Sequence, residues 1–116
     1  MKYVFLFCGS QADQAAFDAL SPAELKARYA EVGRWFAENR SRLGHGAQLQ
    51  GPDTATTVAF HPGGLSFVKD GLFLEGKEIV GGYTEVEVAH LDEALAMAKS
   101  WPGGGTLEIR PVVERG

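Results

Sequence analysis

The sequence predicts an α+β sandwich, in which two helices cover one face of an antiparallel sheet. Three observations support this class: a first segment, Tyr3–Cys8, that is apolar at every position, two segments with apolar residues at helical spacing, and later segments in which apolar and charged residues alternate as in strands. A length of 116 residues suits one domain and is too short for a second full core. We therefore expect residues 1–116 to form a single domain.

The first helix is predicted over Pro22–Leu43. Ser21 is a suitable N-cap, the proline after it favours the first helical position, and Glu24 completes a Ser-x-x-Glu capping box. Gly44 is typical of the residue that ends a helix. Trp35 is expected near the rim of an apolar stripe that faces the sheet. The stripe consists of Leu25, Tyr29, Val32, Phe36 and Leu43. Residues 9–20 are expected to form an irregular loop or a short helical turn.

The rest of the chain is predicted to supply strands and a second helix. The segment His61–Gly64 lies between two strand-like segments and indicates a hairpin turn. A helix over residues 91–101 is expected to turn Leu91, Leu95 and Ala98 inward. The predicted strands are Ala47–Leu49, Thr54–Phe60, Leu65–Lys69, Tyr83–Ala89 and Thr106–Val113. With one strand per half treated as an accessory, the order is the βαββαβ of a ferredoxin-like sandwich.

The Tyr3–Cys8 strand also predicts the oligomeric state. Two helices cover only one face of a sheet, whereas a strand that is apolar at every position has both of its faces covered. In a chain of this length the expected cover is a second copy of the chain. This predicts a homodimer in which the two sheets face each other.

The segment Asp70–Tyr83, DGLFLEGKEIVGGY, resembles the signature of the YCII-related family in its DGPF branch, which reads D-G-P-F-x-E-x-K-E-x-x-G-G-Y. The opening Met1–Leu6, the segment Leu91–Leu95 and the ending Glu108–Pro111 are also similar to that branch, so the resemblance covers nearly the whole chain. Leu72 stands where the branch has proline. The resemblance implies a bacterial protein with a ferredoxin-like fold that forms a dimeric α+β barrel.

The resemblance does not supply a reaction. Some YCII proteins are proposed to use a His–Asp pair, with the histidine near the start of the first helix and the aspartate just before a proline that ends the second. Judged by spacing from the helix ends, this chain has Glu24 and Trp101 at those positions. The pair is therefore not carried over to this chain.

Candidate site residues come from strand parity and from the glycine-rich segment Asp70–Gly82, which is predicted to form an exposed arm. Parity places five side chains on the sheet face away from the helices: Tyr83, Glu85, Glu87, Glu108 and Arg110. The fork of Arg110 suits a carboxylate or a phosphate, and an ion pair with Glu87 or Glu108 is the structural alternative. In the arm, Asp70 and Lys77 could hold a polar ligand or move a proton; an Asp-Gly turn and a surface ion pair are the alternatives.

These residues predict a small polar or anionic ligand bound between the sheet face and the arm. The enzymatic form of this hypothesis is acid–base chemistry, with Glu87 or Asp70 as base and Arg110 or Lys77 as charge stabiliser. One alternative is a non-catalytic interaction or regulatory module linked to transcription, because members of the DGPF branch are associated with extracytoplasmic-function sigma factors. A haem- or oxygen-handling enzyme, as among other dimeric barrels, is the third hypothesis.

Composition argues against several other classes. The net charge is −4 and no basic stripe occurs, so we expect no nucleic-acid partner. The longest apolar run, Tyr3–Cys8, is too short to cross a bilayer, and we expect a cytoplasmic location without a membrane partner. Cys8 is the single cysteine, and no two of the three histidines have the spacing of metal ligands. We therefore expect no internal disulfide, no metal and no cofactor.

Overall fold

The computed structural model describes residues 1–64, 66–70 and 78–115, apart from the side chains of residues 67, 69 and 70. Within these residues the chain forms six strands and three helices, which confirms the α+β class. In chain order the elements are β1 (Lys2–Gly9), α1 (Gln11–Asp18), α2 (Pro22–Glu38), β2 (Leu43–Gln48), β3 (Thr56–Phe60), β4 (Ser66–Asp70), β5 (Ile79–Glu87), α3 (Leu91–Lys99) and β6 (Thr106–Pro111).

Four of the strands form one antiparallel sheet in the order β2-β5-β1-β6. β1 lies inside this sheet, with Lys2 opposite Glu87 of β5 and Tyr3 opposite Pro111 of β6. An inner strand has neighbours along both edges and side chains on both faces. The central place of β1 therefore pairs its backbone along both edges, while the helices cover the face that holds Tyr3 and Phe5.

The core lies on the face of the sheet that the helices cover. Phe5 and Val86 are fully buried there, and Trp35 of α2 lies over them with 3% of its surface exposed. The Trp35 indole Nε1 donates to the carbonyl of Met97 at 3.1 Å and to Ser100 Oγ at 3.0 Å. The buried apolar residues are Tyr3, Phe5, Trp35, Val86, Val88, Ala94 and Met97.

The two helices are rotated relative to the faces that the sequence predicts. Trp35 is the buried residue of α2, while Tyr29 of the predicted stripe is 52% exposed. In α3 the buried residues are Ala94 and Met97, and Leu91 and Leu95 are exposed. A buried indole removes a large apolar area from water and needs a partner for its N–H, and α3 supplies both the surface and the carbonyl.

The first long helix ends earlier than predicted. α2 stops at Glu38, and Asn39 donates from its side-chain amide to the carbonyl of Trp35 at 2.8 Å. A short 3₁₀ turn over Arg40–Arg42 follows, and β2 begins at Leu43, so Gly44 lies in a strand. Gly46 in the same strand is needed for close approach, because a Cβ there would lie 2.7 Å from the carbonyl oxygen of Tyr83.

A helix that the sequence analysis left as a loop or turn precedes α2. α1 spans eight residues, and Ser10 caps it through a capping box with Asp13. The Asp13 carboxylate accepts from the Ser10 backbone N–H at 2.9 Å and from its hydroxyl at 3.0 Å. These two bonds lower the pKa of Asp13. A Ser-x-x-Asp pattern was the local signal for this helix.

The predicted hairpin is confirmed as a separate two-stranded sheet. β3 and β4 pair from Thr56 with Asp70 to Phe60 with Ser66, and the turn contains Gly63 at φ +103° and Gly64 at φ +89°. The radius of gyration is 16.6 Å, against about 13 Å for a compact domain of this length. The hairpin therefore belongs to a flat, open molecule, whose principal extents are 48 × 46 × 19 Å.

The predicted arm over residues 70–82 is shorter than expected at its end. β5 begins at Ile79, which pairs with Gly9, and Gly82 is buried opposite Phe7. Residues 71–77, with the predicted ligand contact of Lys77, lie outside the described residues. Asp70 is the last residue of β4, and the Asp-Gly turn predicted after it falls outside the described residues.

Candidate functional site

The sheet face away from the helices collects the charged residues that strand parity predicts. We call it the outer face and define it by Val4 and Leu6 of β1 with the residues opposite them. Val4 lies opposite Glu85 on one side and Arg110 on the other, and Leu6 lies opposite Tyr83 and Glu108. Directly opposed residues share one face of a sheet. Parity therefore places these side chains correctly.

The strand order separates the two ends of this face. Because β1 lies between β5 and β6, Glu85 and Arg110 are two strands apart, or about 10 Å at about 4.8 Å per strand. For the same reason Glu87 and Arg110 are not on neighbouring strands, and of the two ion-pair alternatives for Arg110 the one with Glu87 is not formed among the described residues. In this sheet β5 pairs with β2 and β1, whereas β6 pairs with β1.

Arg110 pairs along its own strand instead. Its Nη1 lies 3.6 Å from Oε2 of Glu108, and the two side chains are 67% and 53% exposed. An ion pair this open to solvent contributes little to stability. Both guanidinium and carboxylate thus remain accessible to a ligand or to a second protein surface.

Glu87 lies at the end of the outer face beside the chain start. Its Oε1 is 3.9 Å from the N-terminal ammonium of Met1, which itself donates to the carbonyl of Val88 at 2.6 Å. A ligand that reaches the Glu87 carboxylate must share or displace this ammonium. The second predicted base, Asp70, is on the separate two-stranded sheet, and its side chain lies outside the described set.

A polar group on the β2 side of the face was missed by the sequence analysis. The backbone N–H of His45 donates to Oε2 of Glu85 at 3.3 Å, and the His45 ring lies 5.8 Å from the ring of Tyr83. β2 was predicted only over Ala47–Leu49, so the position of His45 beside β5 could not be read. Gly44 and Gly46 interrupt the alternation of apolar and polar side chains within residues 43–48, so the strand pattern is not visible in the sequence.

Cys8 lies on the outer face at the far end of β1. Its thiol is half-buried and 3.6 Å from the carbonyl oxygen of Leu6. Burial raises the pKa of the Cys8 thiol, and the carboxylates of Glu108 and Glu78 raise it further. A raised pKa disfavours the thiolate, which is the nucleophilic form.

In the described part of the chain, no three histidine, cysteine, aspartate or glutamate side chains come together in a way that could hold a metal ion. The helices in those same residues are all too short or too polar to cross a membrane.

Comparison with known proteins finds a relative across the whole chain. No family model matches the sequence. The uncharacterised protein R00369 of Rhizobium meliloti (strain 1021) is 31% identical over 116 residues, which cover 97% of this chain and 92% of that protein. The similarity therefore extends over nearly the full length of both sequences and is not confined to one motif. The chain belongs to the same family as this Rhizobium meliloti protein.

Proposed function

We propose that the protein is a cytoplasmic homodimer of the YCII-related, DGPF type that binds a small polar molecule between two facing sheets. The observation that carries this proposal is the outer face, where half-buried Val4 and Leu6 lie between rows of charged residues. The order β2-β5-β1-β6 supports a ferredoxin-like βαββαβ arrangement, if the β3–β4 hairpin counts as an insertion. Two such sheets face to face would form a dimeric α+β barrel.

The charge pattern of the outer face favours a second copy of the chain as its cover. The acids Glu85 and Glu87 lie on one side of β1, and Arg110 lies on the other side, next to Glu108 at 3.6 Å. A two-fold axis parallel to β1 would place β5 of each protomer over β6 of its partner. Arg110 would then face the acidic strand of the other chain, while the apolar residues of β1 meet at the axis.

The same pattern describes the ligand. Arg110 offers a bidentate fork to an anionic group, while Glu85, Glu108 and the Tyr83 hydroxyl accept hydrogen bonds. Acids outnumber the one arginine, so a ligand with a single anionic group and several N–H or O–H donors fits better than a polyanion. The base role of Glu87 is a further prediction of this proposal and depends on ligand access past the Met1 ammonium.

The test has two parts, assembly and binding. Sedimentation equilibrium should give about 25 kDa, twice the 12.5 kDa of one chain. A thermal-shift screen of small carboxylates, amino acids and phosphates should find a compound that stabilises the wild type and not Arg110→Met. Arg110→Lys should recover little, because an ammonium lacks the fork.

The control for this test is Arg40→Met, which removes one positive charge from the exposed 3₁₀ turn instead of the outer face. It should respond to the same compounds as the wild type. A monomer at micromolar concentration, or a screen in which every stabilising compound acts equally on wild type, Arg110→Met and Arg40→Met, would contradict the proposal.

A non-catalytic interaction module is the second candidate, and the β3–β4 hairpin favours it. Val58 lies opposite Val68, and both are exposed beside Phe60, which is 83% exposed. An apolar face of this kind typically contacts another protein surface. If Phe60→Ser abolishes self-association while Arg110→Met changes neither assembly nor compound binding, this candidate replaces the first.

A further inference from the structure

A cavity that shares no lining residue with the charged residues of the outer face lies where α1, α2 and the loop after α3 meet. Its volume is about 210 Å³. Pockets that hold drug-sized ligands have about 300–1,000 Å³, so this one suits a smaller molecule. Its lining residues are Asp13, Ala16, Phe17, Leu20, Arg28, Gly103, Gly104 and Gly105.

The lining of this cavity combines two kinds of chemistry. Ala16, Phe17 and Leu20 contribute apolar carbon, and the Phe17 ring makes an edge contact with Tyr29, with 6.2 Å between the ring centroids. Arg28, Asp13 and the glycine loop contribute the polar part of the lining. A molecule that fills the cavity therefore needs a short apolar body and one polar group.

Arg28 is positioned for a ligand without being neutralised. Its Nη1 donates to the carbonyl of Gly103 at 3.1 Å, which fixes the half-buried side chain. Within the described residues Arg28 forms no ion pair, whereas Arg42 contacts Glu93 and Arg110 contacts Glu108. A partly desolvated guanidinium with unused donors favours an anion, which it can hold through two parallel hydrogen bonds.

Asp13 limits which anion fits. Asp13 also lines the cavity, and its Oδ2 accepts from the backbone N–H and the hydroxyl of Ser10. A negative charge in the lining of the same cavity repels a dianion more strongly than a monoanion. A monocarboxylate is therefore preferred over inorganic phosphate.

The glycine loop keeps the polar part of the lining open. Gly104, at φ +74°, is the residue next to the guanidinium, since a Cβ there would lie 3.8 Å from Arg28 Nη1. A Cβ at Gly103 would lie 2.4 Å from the Trp101 ring, and one at Gly105 would lie 2.4 Å from the carbonyl oxygen of Cys8. The loop thus packs against Trp101 and β1 with no side chains of its own, which leaves room beside Arg28.

We propose that this cavity binds a small monocarboxylic acid, with its carboxylate on the Arg28 guanidinium and its apolar body against Ala16, Phe17 and Leu20. The site is separate from the outer face and does not depend on the dimer. It assigns a second ligand to the chain, of a different chemical class from the donor-rich molecule expected at Arg110.

The experiment titrates the full chain with benzoate, butyrate and inorganic phosphate by calorimetry. Wild type should bind benzoate, and phosphate should bind at least about ten-fold more weakly. Arg28→Met should weaken benzoate by at least about ten-fold, and Arg28→Lys by nearly as much, because an ammonium lacks the fork. Ala16→Leu, which fills the apolar part of the cavity and leaves Arg28 intact, should weaken benzoate similarly.

Two controls keep the result decisive. Arg34→Met removes an exposed arginine from the same helix and should bind benzoate like the wild type, and Ala16→Leu tests the site without changing any charge. If Arg28→Met fails to fold because it loses the bond to Gly103, Ala16→Leu decides the matter. Absent benzoate binding to the wild type, phosphate binding as tight as benzoate, or unchanged affinity in Ala16→Leu would overturn the proposal.

Discussion

The two faces of the four-stranded sheet use the same central strand in different ways. On the helix face, Tyr3 and Phe5 of β1 are almost completely buried beneath Trp35. On the outer face, Val4 and Leu6 of the same strand are half-buried in the single chain. The helix face is a buried core, whereas the outer face is a half-buried apolar strip with charged residues on both sides. The apolar composition of β1 therefore reflects both faces of the sheet, and the helices of this chain cover one of those faces.

The polar groups of the two faces also differ in how well they are paired within the chain. On the helix side they are joined inside the chain, as in the bonds of Trp35 to α3 and of Arg42 to Glu93. On the outer face the ion pairs of Glu87 and Arg110 are long and open to solvent. Satisfied buried groups specify a fold, whereas exposed and weakly paired ones are available for recognition. The helix face therefore carries the stability of the chain, and the outer face is the surface that remains available for recognition.

The largest expected effect comes from truncating β1 on the helix face. Phe5→Ala should lower the free energy of unfolding by about 3–5 kcal/mol, because it leaves a cavity under Trp35. Leu6→Ala on the outer face should cost about 1 kcal/mol in a lone chain and about 2–5 kcal/mol where a second copy covers it. Urea unfolding of both variants measures the contrast.

The dependence of stability on protein concentration distinguishes a lone chain, in which Leu6 stays half-buried, from a dimer, in which a second copy covers it. Stability that rises over an about hundred-fold increase in concentration, and falls to a concentration-independent value in Leu6→Ala, indicates a covered outer face. A small Leu6→Ala effect at every concentration would contradict the dimer and leave the comparison of the two faces as one of core against solvent.

A smaller effect is expected where the chain crosses from the helix layer back to the sheet. Gly105 has φ +72°, and an added Cβ would meet the carbonyl oxygen of Cys8, so Gly105→Ala should cost about 2–4 kcal/mol. Gly104→Ala is the matched control, because φ is +74° and the nearest atom is 3.8 Å away. It should cost about 1–2 kcal/mol from backbone strain alone. Thermal unfolding of the pair measures the difference, and equal costs would mean that the loop moves away from β1.

The smallest effect is a pH dependence on the helix side. The backbone N–H of Ala89 holds the pKa of Glu93 below its usual value of 4.5, and Arg42 lowers it further, although some burial opposes this. A lowered pKa in the folded state means that the stability from Glu93 is complete above its unfolded value and is lost as the pH falls through its folded value. Glu93→Gln should therefore reduce the loss of stability on acidification below about pH 4.5.

The control for Glu93 is Glu31→Gln, which removes one negative charge from the exposed surface of α2. Melting temperatures between about pH 3 and 6 should converge for wild type and Glu93→Gln on the acid side. Parallel curves for wild type and Glu93→Gln across this range would show that the bonds to Ala89 and Arg42 do not form in solution.

Sequence patterns predicted the elements better than their partners. The start of α2, the β3–β4 hairpin and the parity of Glu108 and Arg110 were all readable, because caps, turns and alternation act over a few residues. The end of α2 was not, because Leu43 continues the helical spacing but belongs to β2. The neighbouring sequence is the same kind for a leucine that belongs to a helix and for one that belongs to a strand, so it does not distinguish the two cases.

The cavity and the pairing of charges lay beyond sequence patterns for a different reason. Arg28 and Gly103 are 75 residues apart, and Arg42 and Glu93 are 51 apart, so no spacing rule connects them. The partner of Arg110 depends on β1 lying between β5 and β6, which is a property of the whole sheet.

Local signals in the chain therefore determined the class of fold, the order of most elements and which strand side chains share a face. Tertiary packing alone decided that Trp35, rather than the leucine and tyrosine stripe, enters the core. It also decided which arginine is neutralised and which faces a cavity. The physical reason is that caps and periodicity arise from the backbone within a few residues. Burial, in contrast, depends on surfaces brought together from distant parts of the chain.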